Sequence, residues 1–444
     1  MTDWLTQPLR AQSAALAKGE ISALELAEAH LAKIDARNGD LRAVVHLNES
    51  LRAEAQAVDA TPLEDRAPLA GLCFGVKDIL DVAGQPTLCG SHAHPQGEHS
   101  DAAAVAALRR TGMLVLGKLA TYEYALTGPA YDQPYPPARN PWNLEHITGG
   151  SSSGSAAAVA GGLMRVALGT DTGGSIRAPS AYCGIIGLKP TAGLVPEAGC
   201  FPLSPSLDVI GPMAAAVEDA AMVLDALVPG HDASAEIGQE ISGLTIGYAR
   251  DWFAQDPAAD PALIAGMDET AGLLSQLCAR IELIDLPPYQ PLEDTATVIL
   301  QAEAYAIHRD GLAQRFNAYG VDARRNLLTG AVLTPEDVEV ARAVGRSFAD
   351  LVDQRLAHCA AVLAPTTLGP APAFADFADG PFWTVMRTMP FNLSGHPSIS
   401  VPCGFTPKDL PLGAQLIGKK KGERTLCRIA HALEHASLHT ARRA

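Results

Sequence analysis

The chain has 444 residues, 48% of them hydrophobic and 18% charged, with a formal net charge of −16. This balance supports a globular protein with a sizeable core and excludes a disordered chain. The negative charge argues against nucleic acid as a partner, because phosphate binding rests on clustered Lys and Arg.

The opening MTDWLTQPLR has no basic segment followed by an apolar stretch, so no secretory signal is expected. The first 65 or so residues read as helices. Ser22 and Glu25 form a capping box, and Leu24, Ala27, Leu31 and Ile34 recur at helical spacing. From Gly71 short apolar runs alternate with helical segments: LCFGVKDIL (72–80), a helix from about Asp101 to Gly112, then MLVLGKL (113–119). Such alternation predicts a mixed or largely parallel sheet flanked by helices. The prolines of YDQPYPPARNPWN (131–143) predict a loop. The Ala/Gly-rich run 155–169 is interrupted by Arg165 and is too short to span a bilayer, so a soluble, cytoplasmic protein is expected. A polar stretch at 228–243 precedes the strand candidate LTIGYA. The reading is a single domain over 1–444, with N-terminal helices 1–65 packed on the body and a more variable lobe inserted at about 244–360. The eight cysteines (73, 89, 183, 200, 278, 359, 403 and 427) form no C-x-x-C pair, which disfavours zinc and disulfides. His92, His94 and His99, like His431, His435 and His439, have no acidic or thiol partner in register, so no metal is expected there.

The chemistry concentrates in residues 147–191. Two Gly/Ser turns, GGSSSGS and DTGGS, each lead into a plausible helix and are joined by the strand candidate RVALG. A serine at a helix start lies beside unpaired N–H groups and the positive end of the helix dipole. Gly173 and Gly174 let the backbone turn tightly before Ser175. The N–H groups of Thr172, Gly173, Gly174 and Ser175 can then converge on an oxygen that becomes negative when Ser175 attacks a carbonyl. Neither turn matches G-x-x-x-x-G-K-[ST], and there is no G-x-S-x-G elbow. A serine nucleophile needs a base, yet no histidine lies in either turn. Lys77, in the apolar run FGVKDIL, is the candidate, since burial lowers a lysine from about 10.4 by up to several units. The alternative is an ion pair between Lys77 and Asp78 or Asp81.

These residues resemble the amidase signature family. The resemblance rests on Gly149-Gly150-Ser151-Ser152-Ser153-Gly154-Ser155, then Asp171, Gly173, Ser175-Ile176-Arg177 and Pro179. Gly75-Val76-Lys77-Asp78, Leu207-Asp208, Gly211-Pro212 and Asn392-Leu393-Ser394-Gly395 support it outside that core. Ser153 departs from the Gly of many relatives. The resemblance implies an α/β/α sandwich around a mixed, largely parallel sheet, with no cofactor and no metal. It implies Lys77 as catalytic lysine, Ser151 as the serine after a cis peptide, and Ser175 as the acyl-carrying nucleophile. Ser152, Asp171 and Arg177 are expected to fix the turns.

The implied reaction is hydrolysis of a C–N bond in an amide, anilide or carbamate through a seryl acyl-enzyme. Tyr131, Phe377, Phe382 and Trp383 are candidates for the substrate pocket or for a cover of the core. The expected partner is a small-molecule amide, with no nucleic acid and no membrane, the chain being a monomer or homodimer. An alternative from the same family is the glutaminase subunit of a tRNA-dependent amidotransferase. Against it stand Val209, where such subunits usually carry Gln, and GPFWTVMRTMPF (380–391), where they carry an acidic stretch. A scaffold protein without catalysis is a third reading, disfavoured by the intact Lys77, Ser151 and Ser175.

Overall fold

The computed structural model describes residues 2–97, 99–439, 442 and 444. The strands are β1 (Val44–Leu47), β2 (Cys73–Lys77), β3 (Leu114–Leu119), β4 (Arg139–Asn140), β5 (Asn143–Ile147), β6 (Val166–Thr170), β7 (Ile186–Lys189), β8 (Ile210–Ala214), β9 (Thr245–Tyr248), β10 (Arg280–Leu283), β11 (Ala361–Pro365), β12 (Ser398–Phe405) and β13 (Pro411–Gly418). The helices are α1 (Leu9–Lys18), α2 (Ala23–Leu41), α3 (Leu51–Ala60), α4 (Ala103–Arg110), α5 (Ser153–Ala160), α6 (Arg177–Cys183), α7 (Val217–Leu227), α8 (Pro261–Gln276), α9 (Tyr289–Arg315), α10 (Val321–Leu328), α11 (Pro335–His358), α12 (Pro390–Leu393) and α13 (Glu423–Ala436).

Among the described residues, eleven strands form one sheet in the order β1-β3-β2-β6-β8-β7-β12-β13-β11-β9-β10. The fold is the α/β architecture with a mixed sheet that the alternation of elements implied. Parallel pairing joins β3 to β2 and β2 to β6, and again β11 to β9 and β9 to β10; the middle of the sheet is antiparallel. β2, β3, β6, β8 and β11 are buried at every residue, which explains why they read as continuous apolar runs rather than alternating ones.

The segment read as a proline-rich loop contains more order than the sequence indicated. Its prolines stop at 137 and recur only at 141, leaving Arg139–Asn140 and Asn143–Ile147 free to pair as the ribbon β4–β5. In the N-terminal region, Ser22 and Glu25 form the reciprocal capping box of α2. Buried His30 bonds the Leu163 carbonyl through Nδ1 at 2.8 Å, and Arg37 donates to the Gly161 carbonyl at 2.9 Å, so α2 is tied to the turn between α5 and β6. The stretch 244–360 supplies β9 and β10 to one edge of the sheet and the long helices α9 and α11, which pack against each other. No helix of the described residues is long and apolar enough to cross a membrane.

Two features of this topology build the site. β2 and β6 run parallel in register, Gly75 opposite Ala167 and Val76 opposite Leu168, so they end at one edge of the sheet. The two Gly/Ser turns precede α5 and α6, which pack against each other.

Candidate active site

Lys77 is the last residue of β2 and is fully buried. Its Nζ lies 2.7 Å from Ser151 Oγ and 2.7 Å from Thr170 Oγ1, the latter at the end of β6. The ion-pair alternative does not hold. Successive side chains of a strand face opposite ways, and Asp78 pairs instead with Lys118 Nζ at 3.1 Å and accepts from Tyr135 Oη at 3.0 Å. Asp81 is 3.5 Å from His99 Nδ1. Burial pulls the Lys77 ammonium down from 10.5 to about 7, against the opposing pull of Cys200, Asp208, Asp171 and Cys89.

The Gly150–Ser151 peptide is cis. A Cβ at Gly150 would collide with the Tyr122 ring, so only glycine fits beneath that aromatic wall. Ser152 holds the two turns together. Its N–H donates to the Ser175 carbonyl at 3.3 Å, its Oγ donates to the Thr170 carbonyl at 3.1 Å, and Oγ lies 3.2 Å from the Thr170 nitrogen.

Ser175 is 9% exposed and follows Gly174, whose φ of +138° suits glycine and strains any other residue. Among the described residues, none of the N–H groups of Thr172, Gly173, Gly174 and Ser175 donates to a protein acceptor. The next two, of Ile176 and Arg177, are already taken by Asp171 Oδ2 at 3.1 and 3.3 Å. The four unpaired donors therefore cluster at the Ser175 turn, an arrangement that could receive an oxyanion. The structure records no hydrogen bond between the hydroxyls of Ser151 and Ser175.

Asp171 and Arg177 are both fully buried and paired at 2.9 Å. Burial alone would raise the Asp171 carboxyl; the Arg177 guanidinium, with Lys189 and Asn392, holds it well below the usual carboxylate range. Arg177 also donates to the Thr388 carbonyl at 2.9 Å, Gln415 Oε1 at 3.0 Å and Asn392 Oδ1 at 2.6 Å. Thr388 Oγ1 in turn donates to the Gly173 carbonyl at 2.6 Å, and Asn392 Nδ2 to the Asp171 carbonyl at 2.9 Å. On the other side Thr172 Oγ1 donates to Asp208 at 2.5 Å, and burial raises that carboxyl to about 6. Thr170, Thr388, Gln415 and Asp208 were given no role by the sequence reading. Asp208 and Asn392 lie in motifs that carried the resemblance, whereas Thr388 and Gln415 reach the site only through the tertiary fold.

Ser175 opens on two chambers. A small one of about 40 Å³ is walled by Tyr122, Leu126, Ile147, Phe382, Trp383 and Met386. The other, about 330 Å³, includes Leu203, Glu293, Asp294, Asn326, Trp383 and Met389 in its lining. Thr127 lines both, and its hydroxyl has no partner among the described residues. The four aromatic candidates separate here. Phe382 and Trp383 are in the walls, while Phe377 is buried beneath Phe382, ring on ring at 4.4 Å. Tyr131 is 70% exposed and lines neither chamber, because its proline-rich segment carries it out to solvent. Among the described residues, no group of three or more His, Cys, Asp or Glu side chains is placed to hold a metal.

The model of the Amidase family matches residues 25–427. A glutamyl-tRNA(Gln) amidotransferase subunit from Roseiflexus sp. (strain RS-1) is 35% identical to this chain, with 95% of each covered. Among solved structures, an inhibitor-bound vestigial complex bearing on the origins of an s-triazine catabolic enzyme superposes with a TM-score of 0.89 at 31% identity, covering 97% of this chain and 98% of that one. A peptide amidase from Stenotrophomonas maltophilia superposes with a TM-score of 0.85 at 29% identity, covering 100% and 98%. These relatives correct the expectation of a monomer or homodimer working on a small molecule without nucleic acid, for the Roseiflexus protein is by name one component of an enzyme of glutamyl-tRNA(Gln). Net charge bears only on whether this chain itself grips phosphates; it does not exclude an assembly in which another subunit holds the RNA. With the family model spanning most of the sequence and relatives matching nearly end to end, the chain belongs to the amidase signature family and is an amidase.

Proposed function

We propose that this chain hydrolyses a C–N bond through a seryl acyl-enzyme at Ser175, with Ser151 relaying protons to and from Lys77, and that it does so as the amidase component of a larger assembly. The observation that carries the reaction is the buried amine of Lys77, drawn down to about 7 and 2.7 Å from Ser151 Oγ. Neutral Lys77 takes the proton of Ser151 as Ser151 takes that of Ser175, whose Oγ attacks the carbonyl carbon. The free N–H groups of 172–175 receive the oxyanion. The proton returns through Ser151 to the departing nitrogen, which would otherwise have to leave as an amide anion. Water then repeats the cycle on the acyl-enzyme. Catalytic hydrogen bonds commonly form fully only in the substrate complex, so this reading requires the Ser151 to Ser175 hydrogen bond to form when substrate is present.

The relatives are by name subunits of a glutamyl-tRNA(Gln) amidotransferase, which favours the glutaminase alternative that the resemblance implies, with glutamine as the amide donor. In support, the larger chamber carries Glu293 and Asp294, carboxylates suited to an α-ammonium, and Thr127 offers an unused hydroxyl. A second reading, hydrolysis of a small neutral amide, anilide or carbamate, is favoured by the apolar walls of the smaller chamber and by Val209 and the non-acidic 380–391 segment. The deciding experiment measures ammonia or amine release from glutamine, acetamide, benzamide, acetanilide and a carbamate by protein purified natively from its host, alongside fluorophosphonate labelling of Ser175. Preference for glutamine supports the assembly reading and preference for a neutral amide the second. No turnover and no labelling refutes the acyl-enzyme.

A further inference from the structure

Beside the two chambers at Ser175 lies a third space, an outer cleft of about 740 Å³ that includes Trp252, Asp285, Tyr289, Glu293 and Arg387 in its lining. Among the described residues, Trp383 alone lines all three spaces. Its Cζ2 stands 3.4 Å from where a Cβ on Gly173 would be, so the indole covers the turn carrying the unpaired donors. The segment that carries the ring is anchored on both sides. One residue before Trp383, Phe382 is stacked on buried Phe377. Shortly after it, the Val385 carbonyl accepts from the Leu368 N–H at 3.0 Å, and the Arg387 N–H donates to the Thr366 carbonyl at 2.9 Å. With backbone and ring anchors on both sides of it in the chain, Trp383, itself 43% exposed, is positioned as a wall between the three spaces.

We infer that Trp383 is the specificity-determining residue of this enzyme, a partition that confines the substrate's arms to the two chambers at Ser175 and shuts long arms out of the outer cleft. The inference rests on Ser175 being the nucleophile. An arm that outgrows the inner space meets the indole, so compact acyl and amine groups react and extended ones do not. Without the indole, a long arm runs into the cleft and gains contact with Trp252, Tyr289 and Leu286, about fourfold in rate constant for each added methylene that leaves water.

The test uses alkyl fluorophosphonates with chains from ethyl to octyl, which read the space around Ser175 without knowledge of the natural substrate. Ser175 Oγ forms a bond to phosphorus, fluoride leaves, and the proton passes through Ser151 to Lys77. In the native protein the second-order rate constant is expected to fall from butyl onward. In Trp383→Ala the ratio of octyl to ethyl rate constants should rise at least 50-fold, with Trp383→Phe between the two. An octyl to ethyl ratio in Trp383→Ala within threefold of native, with ethyl labelling of Ser175 intact, overturns the inference and leaves the nucleophile standing. Failure of every probe to label native Ser175 refutes the nucleophile and the inference with it. Should Trp383→Ala prove unfolded by circular dichroism, Trp383→Leu and Trp383→Phe carry the same comparison.

Discussion

The most demanding consequence of the site concerns the pH dependence of acylation. A lysine at 10.5 carries a free amine in about one molecule in 3000 at pH 7, whereas one at about 7 does so in roughly half, about a 1500-fold gain in usable base. Pre-steady-state acylation of Ser175 measured from pH 5 to 9 should therefore rise about tenfold per pH unit up to a midpoint near 7 and level off above pH 8. Lys77→Met should cost on the order of 10² to 10⁴ in kcat/KM and remove the acidic limb. Lys77→Arg should fare no better, because a guanidinium does not deprotonate. Asp208→Asn removes a carboxylate that favours the ammonium and should move the limb to lower pH. The same burial gives a stability signature whose sign is fixed. Between about 7 and 10.5 the unfolded chain holds a proton that the folded one lacks, so unfolding free energy rises by about 1.4 kcal/mol per pH unit for this lysine. Lys189, pulled by burial to about 7 as well, adds an equal slope, and buried thiols such as Cys89 and Cys183, which burial pushes up, oppose both above about pH 9, so the Lys77 share is read as the difference in slope between native protein and Lys77→Met in urea titrations. An acidic limb that survives unchanged in Lys77→Met would refute the assignment of Lys77 as base.

Three further expectations bear on the same architecture. Ser175→Ala should abolish turnover and covalent labelling while Tm stays within a few degrees, and Ser151→Ala should retain folding with a loss of about 10² to 10⁴ in acylation. Arg177→Met strips a fully buried Asp171 of its partner and should cost about 3–5 kcal/mol in urea unfolding; a loss below 1 kcal/mol would show that the network is dispensable. Gly174→Ala forces a side chain into a φ of +138° against Thr388 and should impair acylation far more than it lowers Tm. Equal loss of both would place the defect in folding instead of in the turn.

The centre of the candidate site is more legible in the sequence than its surroundings, for physical reasons. Lys77, Ser151 and Ser175 lie in segments whose composition is abnormal for plain structure: a cation within an apolar run, and serines framed by paired glycines. Strands such as β2 and β6 were visible because buried parallel strands read as unbroken apolar runs. The ribbon β4–β5 was masked by prolines adjacent to it. Thr170, Thr388 and Gln415 were invisible for a different reason. Each is an ordinary polar residue whose role is set by contacts 93, 215 and 238 positions away in the chain. Tyr131 misled because an aromatic among prolines signals a wall only if the loop folds inward, and this one does not. Net charge likewise describes the surface of one chain and carries no information on whether it has partners.

The guanidinium of Arg177 has a consequence for how activity first arises in the cell. It joins the turn before Ser175 to Asn392 and Gln415, so the last support of that turn leaves the ribosome 240 residues after Ser175 does. A nascent chain thus carries Ser175 on a turn whose distant partner Gln415 is still unmade. The support of the turn is therefore complete only once β13 has joined the sheet.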